Sequence, residues 1–80
     1  MTIKVLFFAE LKEIFGPSRW VDVRENTTVE EVVDLLAGES DRLYSKKPSL
    51  VYAINENFET GEKKLSHHDE LALMTPMSGG

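Results

Sequence analysis

The segment Thr28-Val29-Glu30-Glu31-Val32-Val33-Asp34-Leu35-Leu36 decides which architectures are open to this chain. Thr28 followed three residues later by Glu31 is a capping box, in which each side chain bonds the other residue's backbone N–H. Val29, Val32, Val33 and Leu36 then recur at i, i+3, i+4 and i+7, the spacing of one helix face. Glu30, Glu31 and Asp34 lie on or beside the first turns, where negative charge suits the positive end of the helix dipole, and Gly38 supplies a stop. A helix with a single apolar stripe has to bury it. The segments around it read as strands, so the pattern predicts one main helix laid over one face of one sheet, a two-layer α+β domain.

Those strands follow from local composition. Ile3-Lys4-Val5-Leu6-Phe7-Phe8 is apolar at all but one position and rich in β-formers, which predicts a central strand covered on both faces. Ala9 to Phe15 carries helix formers, with Leu11, Ile14 and Phe15 at helical spacing before Gly16-Pro17, and reads as a short helix or turn. Trp20-Val21-Asp22-Val23 alternates as a second strand. Glu39 to Ser49 is polar and closes on Lys46-Lys47-Pro48, a solvated connection or a frayed helical turn. Leu50 to Ile54 is a third strand, turning at Asn55-Glu56-Asn57 into a short extended piece around Phe58. Thr60-Gly61-Glu62 forms another turn, and Leu65 is an isolated apolar anchor before the polar turn Ser66-His67-His68-Asp69. In the last strand, Glu70 to Met74, Leu71 and Leu73 share one face and Ala72 and Met74 the other. The first and last strands are the most apolar and are expected side by side at the sheet centre.

Size and charge exclude several functions. A domain of 80 residues buries only about 60% of its unfolded surface, so little interior is left for an enclosed active site. Any chemistry is expected on the outside. Fourteen acidic against nine basic residues leave a formal net charge of -5, which disfavours nucleic acid and anionic membranes as partners. The absence of cysteine excludes disulfides, thiolate nucleophiles and cysteine-based metal sites, and is compatible with a cytoplasmic location. Met1-Thr2-Ile3-Lys4-Val5 enters a strand pattern without the features of a signal peptide, and no apolar run approaches the ~20 residues of a membrane span.

Residues 1–74 thus read as the folded domain and residues 75–80, Thr75-Pro76-Met77-Ser78-Gly79-Gly80, as a flexible tail rooted directly in an apolar strand. Pro76 fixes its own φ and biases Thr75 toward extended geometry. Gly79 and Gly80 lack Cβ atoms and pass where a side chain would clash. Fully extended at roughly 3.3 Å per residue, the segment reaches about 20 Å, enough to thread into a pocket on another protein. The terminal carboxylate is the candidate reactive group. A carboxylate is a poor electrophile, since its leaving group would be oxide, so acyl chemistry at this terminus requires prior activation.

Other candidates have simpler explanations. His67-His68-Asp69 is a structural turn rather than a metal site, since adjacent side chains point to different sides and no third cluster accompanies them. Glu30 and Glu31 are explained by helix capping rather than by paired acid–base work. Lys46-Lys47 and Lys63-Lys64 read as solvated loop charge. Phe7 and Phe8 face opposite sides of the first strand, so one of them, with Met74, either packs in the core or forms a docking patch.

Ile3 through Ala9, Val51 to Asn55 and Leu65 through Gly80 resemble, in order and along nearly the whole chain, the small subunit of molybdopterin synthase. The most specific piece is Asp69-Glu70-Leu71-Ala72-Leu73-Met74 followed by the tail. The resemblance implies a β-grasp, ubiquitin-like fold with a mixed sheet, and a sulfur carrier in molybdenum cofactor biosynthesis. It implies that Gly80 is adenylated by a ubiquitin-activating-type enzyme using ATP and Mg²⁺, then converted to a thiocarboxylate with sulfur from a donor protein. Gly79 gives access, and Phe8, Met74, Pro76, Met77 and Ser78 meet the partner. The carrier itself binds no cofactor and no metal. Its tail enters the large subunit, which holds the catalytic residues and passes sulfur to a cyclic pterin. The sequence departs from the family at His68, where a glycine is usual, at Leu73 and Met74, where aromatic residues are common, and at Thr75, which replaces one of two frequent prolines. Histidine is among the residues enriched at positive φ, so the turn at His68 is compatible with the fold. Rival readings are a sulfur carrier for thiamine synthesis or tRNA thiolation, a ubiquitin-like modifier conjugated through Gly80, and an interaction domain with an inert tail.

Overall fold

Thr28 caps the main helix as the sequence predicts. Its Oγ1 accepts from the Glu31 N–H at 3.3 Å, and Glu31 Oε1 accepts from the Thr28 N–H at 3.1 Å. The computed structural model describes residues 1–76; Met77, Ser78, Gly79 and Gly80 lie outside the described residues. The elements in chain order are β1 (Thr2–Phe7), α1 (Glu10–Phe15), β2 (Ser18–Asp22), α2 (Val29–Ala37), α3 (Asp41–Lys46) with a 3₁₀ turn at Lys47–Ser49, β3 (Val51–Ile54), β4 (Asn57–Glu59) and β5 (Glu70–Met74).

The strands form one mixed sheet in the order β2-β1-β5-β3-β4. β1 and β5 are parallel neighbours, with Val5 opposite Leu71 and Phe7 opposite Leu73; the other pairings are antiparallel. The two most apolar strands thus lie side by side, as expected. Val29, Val32, Val33 and Leu36 of α2 are fully or almost fully buried against Ile3, Val5, Phe7, Leu71 and Leu73. At about 25 cal/mol per Å² of apolar surface removed from water, this layer is the main source of stability.

Three expectations need correction. The apolar run of β1 predicts cover on both faces, but burial alternates: Ile3, Val5 and Phe7 are buried, whereas Thr2, Lys4 and Leu6 are only half-buried. The helices supply the core on one side, so the second face of the sheet stays open. The polar segment Glu39 to Ser49 is an ordered helix and 3₁₀ turn. Ser40 caps it by accepting from the Leu43 N–H at 3.3 Å, and Leu43 is fully buried. Lys46 and Lys47 are not merely solvated: Lys46 Nζ meets Glu10 Oε1 at 2.7 Å, and Lys47 pairs with Asp34. These pairs tie the segment to α1 and α2, although each exposed pair contributes at most about 1 kcal/mol.

The turns use backbone conformations that few side chains favour. Gly16 ends α1 at φ +84°, a value that explains the glycine there. Asn55 and Glu56 both take positive φ, which is the two-residue turn that matches strand twist in a β3–β4 hairpin. His68 stands at φ +69°, so the turn before β5 forms with histidine in place of glycine.

Candidate functional site

β5 positions everything that surrounds the tail root. It lies in the middle of the sheet, and its fully buried Leu71 and Leu73 lock it to the helical layer. Alternation then turns Ala72 and Met74 to the open face. Across that face the register sets Leu6, Ala72, Ala53 and Phe58 in one row over four strands, with Met74 beside Val51 in the next. Ala53 is 6% exposed yet takes no part in the helix-side core, because its cover comes from this second face. Phe58 is 77% exposed, a large apolar ring left in water at the rim.

The parallel pairing of β1 with β5 also brings their C-terminal ends to the same end of the sheet. Phe8 and Met74 follow directly on the Phe7–Leu73 pair; Phe8 is exposed, Met74 and Thr75 half-buried and Pro76 exposed. Phe7, in contrast, is buried and stacks on Phe15 at 4.8 Å between centroids. Of the alternatives for Met74 and the two phenylalanines, Phe7 is core and the other two border the tail root. The candidates Phe8, Met74 and Pro76 are therefore brought to one end of the open face. Candidates Met77, Ser78, Gly79 and Gly80 fall outside the described residues.

Phe58, Leu6, Ala72 and Val51 belong to the same surface and were not identified from sequence. The signal was present for Phe58. A two-residue turn at Asn55-Glu56 fixes the pairing of Ala53 with Phe58, and that pairing assigns the ring to the Ala72 and Met74 side.

Among the described residues there is no group of three or more His, Cys, Asp or Glu placed to hold a metal, and no pocket. The fold displaces the protonation of groups on the helix side instead. Arg19 is raised by its hydrogen bonds to Glu39, Lys47 by its bond to Asp34, and Tyr52 by burial and then by the charge of Glu30. His67 and His68 do not point apart, as adjacency suggests: the positive φ of His68 folds the turn so that their rings lie 3.7 Å apart. His67 Nδ1 accepts from the Thr2 N–H at 3.0 Å, a structural task at the end of the sheet opposite the tail root. No described helix is long and apolar enough to cross a membrane.

The arrangement is an apolar face that runs to the end of β5 beside Thr75-Pro76, which suits docking against another protein. Comparison with known proteins gives the same architecture. A Haloferax volcanii crystal structure, of small archaeal modifier protein 1, superposes with a TM-score of 0.82 at 26% identity, covering 95% of this chain and 98% of that one. The fold is the ubiquitin-like β-grasp. The Escherichia coli (strain K12) molybdopterin synthase sulfur carrier subunit is 34% identical over 80 residues, covering 98% of this chain and 99% of the relative. The Arabidopsis thaliana protein of the same name is 34% identical over 79 residues, covering 98% and 82%. Residues 5–80 match the model of the ThiS family, and with relatives of this similarity along almost its whole length the chain belongs to that family.

Proposed function

We propose that this chain is the sulfur carrier subunit of a molybdopterin synthase, with Gly80 as the residue that bears the sulfur. The observation that carries the reading is the end-to-end similarity to sulfur carrier subunits of molybdopterin synthase, which extends through the tail. The root of that tail supports it: β5 is fixed by Leu71 and Leu73 in the core, and Thr75-Pro76 leave the sheet beside an open apolar face.

In this reading an oxygen of the Gly80 carboxylate attacks the α-phosphorus of ATP on a ubiquitin-activating-type enzyme with Mg²⁺, and pyrophosphate leaves. Sulfide (HS⁻), released at that oxidation level by a sulfur donor, then attacks the carbonyl carbon, AMP leaves with the bonding pair, and loss of the S–H proton leaves the thiocarboxylate. The charged tail inserts into the large subunit, where the sulfur passes to a cyclic pterin. Reacting atoms in such a site must approach to about 3–3.5 Å, which Gly79 and Gly80 permit by presenting no Cβ. Catalytic bases, ATP and Mg²⁺ belong to the partners, and the setting is the cytoplasm. The folded domain, residues 1–74, serves to hold and orient residues 75–80. Phe8, Met74 and Pro76 form the border of the docking surface, with Phe58, Leu6 and Val51 across the face and Met77 and Ser78 along the tail.

Intact mass spectrometry tests this. The chain is incubated with ATP, Mg²⁺, a sulfide source and candidate activating enzymes, beside a form lacking Gly80. Exchange of one oxygen for sulfur in the full chain alone, followed by conversion of the pterin precursor when a large subunit is added, is the expected result. No mass change with competent activating enzymes would overturn it. Thiocarboxylate formation without pterin conversion would move the assignment to thiamine or tRNA thiolation.

A second reading is favoured by the superposition on small archaeal modifier protein 1: conjugation through Gly80 to lysines of other proteins. Lysines of trypsin-digested cell protein carrying the remnant Leu65–Gly80, which begins after the chain's last tryptic site at Lys64 and depends on Gly80, would identify it.

A further inference from the structure

The sheet has two edges, and they differ. β4 spans three residues, too short to template another strand, whereas β2 spans five with no proline inside it. The direction of the β2 main-chain groups follows from the hydrogen bonds at its ends. Met1 and Val23 bond each other reciprocally at 2.7 and 2.8 Å, and the Phe7 N–H donates to Pro17 O at 3.0 Å. The Lys4 N–H instead donates to Asp69 O on the β5 side. Odd-numbered residues of β1 thus bond β2 and even-numbered ones face β5. The partners of the even-numbered set, Ser18, Trp20 and Asp22, therefore turn their N–H and C=O groups outward.

We propose that β2 is the seam of a two-fold dimer of this chain, formed by antiparallel pairing of Ser18–Asp22 with the same strand of a second copy, centred on Trp20. The window is self-complementary. A two-fold axis at Trp20 sets Ser18 opposite Asp22 at both ends and Arg19 opposite Val21, so neither charged residue meets its own kind. Each outward pair, Ser18 with Asp22 and Trp20 with Trp20, exchanges two main-chain bonds. Pro17 does not obstruct this, because its main chain faces β1. The side chains agree. Asp22 uses Oδ1 to accept from Thr2 Oγ1 and keeps Oδ2 for a serine hydroxyl, while Arg19 is held on the helix side by Glu39 at 2.9 Å. Trp20 is 59% exposed in one copy, with Lys4 Nζ at 5.8 Å and the His68 ring at 6.4 Å from its own ring centre. In the dimer it lies against its counterpart and loses that exposure. The interface is isologous and closes on itself, so it stops at two copies.

The test is sedimentation equilibrium of the full chain over a concentration series reaching the millimolar range, with fluorescence of its single tryptophan on the same samples. The average mass should rise toward twice the monomer, and the emission should shift to the blue over the same range. Trp20→Lys puts like charges opposite each other and should weaken association by at least about tenfold, whereas Phe58→Lys on the open face should leave it unchanged. Ser18→Pro removes an outward N–H and the hydroxyl offered to Asp22 without touching the bonds of β2 to β1, and provides a second disrupting variant; circular dichroism verifies that each variant is folded. In the wild-type dimer the Ser18, Trp20 and Asp22 amides should be protected from exchange. A monomer at every concentration would overturn the proposal. So would a dimer lost in Phe58→Lys but retained in Trp20→Lys, or protection of these amides only when a different protein is added.

Discussion

Asn55 and Asp69 close the end of the sheet opposite the tail root. Asn55 Nδ2 donates to Asp69 Oδ1 at 2.9 Å, while Asn55 Oδ1 accepts from the Glu70 N–H at 3.0 Å. Asp69 Oδ2 accepts in turn from the Ser66 N–H at 2.7 Å, so one side-chain pair links the β3–β4 turn to the turn before β5. Asn55 does this from φ +49°, a conformation that asparagine tolerates better than most residues.

Replacing Asn55 therefore separates two contributions. Asn55→Ala loses the side-chain bonds and puts at positive φ a residue that tolerates it less well than asparagine, and should cost about 2–4 kcal/mol. Asn55→Gly loses the bonds but relieves the backbone, and should cost about 1–2 kcal/mol. Urea denaturation of the two variants measures the difference, and equal losses would show that the backbone conformation contributes nothing.

Leu43 should behave as a core residue although it sits in a polar segment. It is fully buried, so Leu43→Ala should destabilise by about 2–5 kcal/mol through lost transfer energy and a residual cavity. Ser40→Ala, which deletes the cap of the same helix, should cost about 1 kcal/mol. Losses below about 0.5 kcal/mol at both positions, typical of exposed sites, would show that the segment is not docked.

These two cases mark what was legible in the sequence. The Thr28–Glu31 box and four apolar positions on one face specified α2 without tertiary information. The alternation of Leu71 and Leu73 with Ala72 and Met74 specified the orientation of β5. A helix of six residues with one apolar anchor, such as α3, shows no periodicity; its capping serine and its ion pairs to Asp34 and Glu10 become visible only when the chain is folded. The opposite error occurred in β1, where a continuous apolar run suggested a strand buried on both faces. Leu6 and Phe8 instead lie on the open face, half-buried and exposed, and composition does not distinguish an apolar strand face left open from one that is covered. Of the candidate residues, Phe8, Met74 and Pro76 lie at one end of the open face, whereas Phe58 joins that face only through the hairpin register.

Alkaline pH should weaken the fold through Tyr52 and Lys47. Burial, followed by the charge of Glu30, raises Tyr52 above 10.0, and the bond to Asp34 raises Lys47 above 10.5. A group that binds its proton more tightly when folded gives its full stabilisation below its unfolded pKa and loses it as pH rises through the folded value. Denaturant midpoints should thus hold steady below pH 10 and decline above it. In a Tyr44→Phe background the tyrosinate absorbance of the folded chain should titrate above 10.0. Lys47→Met should make the alkaline decline shallower, and an unchanged slope would exclude the Lys47 contribution.

The open face should matter for partners and not for folding. Met74 is half-buried and Phe58 largely exposed, and both project away from the helical layer. Met74→Glu places a charge at the tail root and Phe58→Ala removes the rim ring. Each should weaken binding to a large subunit by about 10- to 100-fold, or 1.4–2.8 kcal/mol, as expected for anchors at a desolvated patch. Thermal unfolding should change little in Phe58→Ala, because no helix-side contact is lost. Gly80→Ala should show the reverse separation, leaving large-subunit affinity nearly intact while lowering the rate of adenylation, since the added methyl group obstructs the approach to the reacting carbon rather than the docking surface. Calorimetric titration and single-turnover adenylation distinguish these outcomes. Loss of binding in Gly80→Ala with retention in Met74→Glu and Phe58→Ala would show that the tail alone holds the partner and that the apolar face has another use.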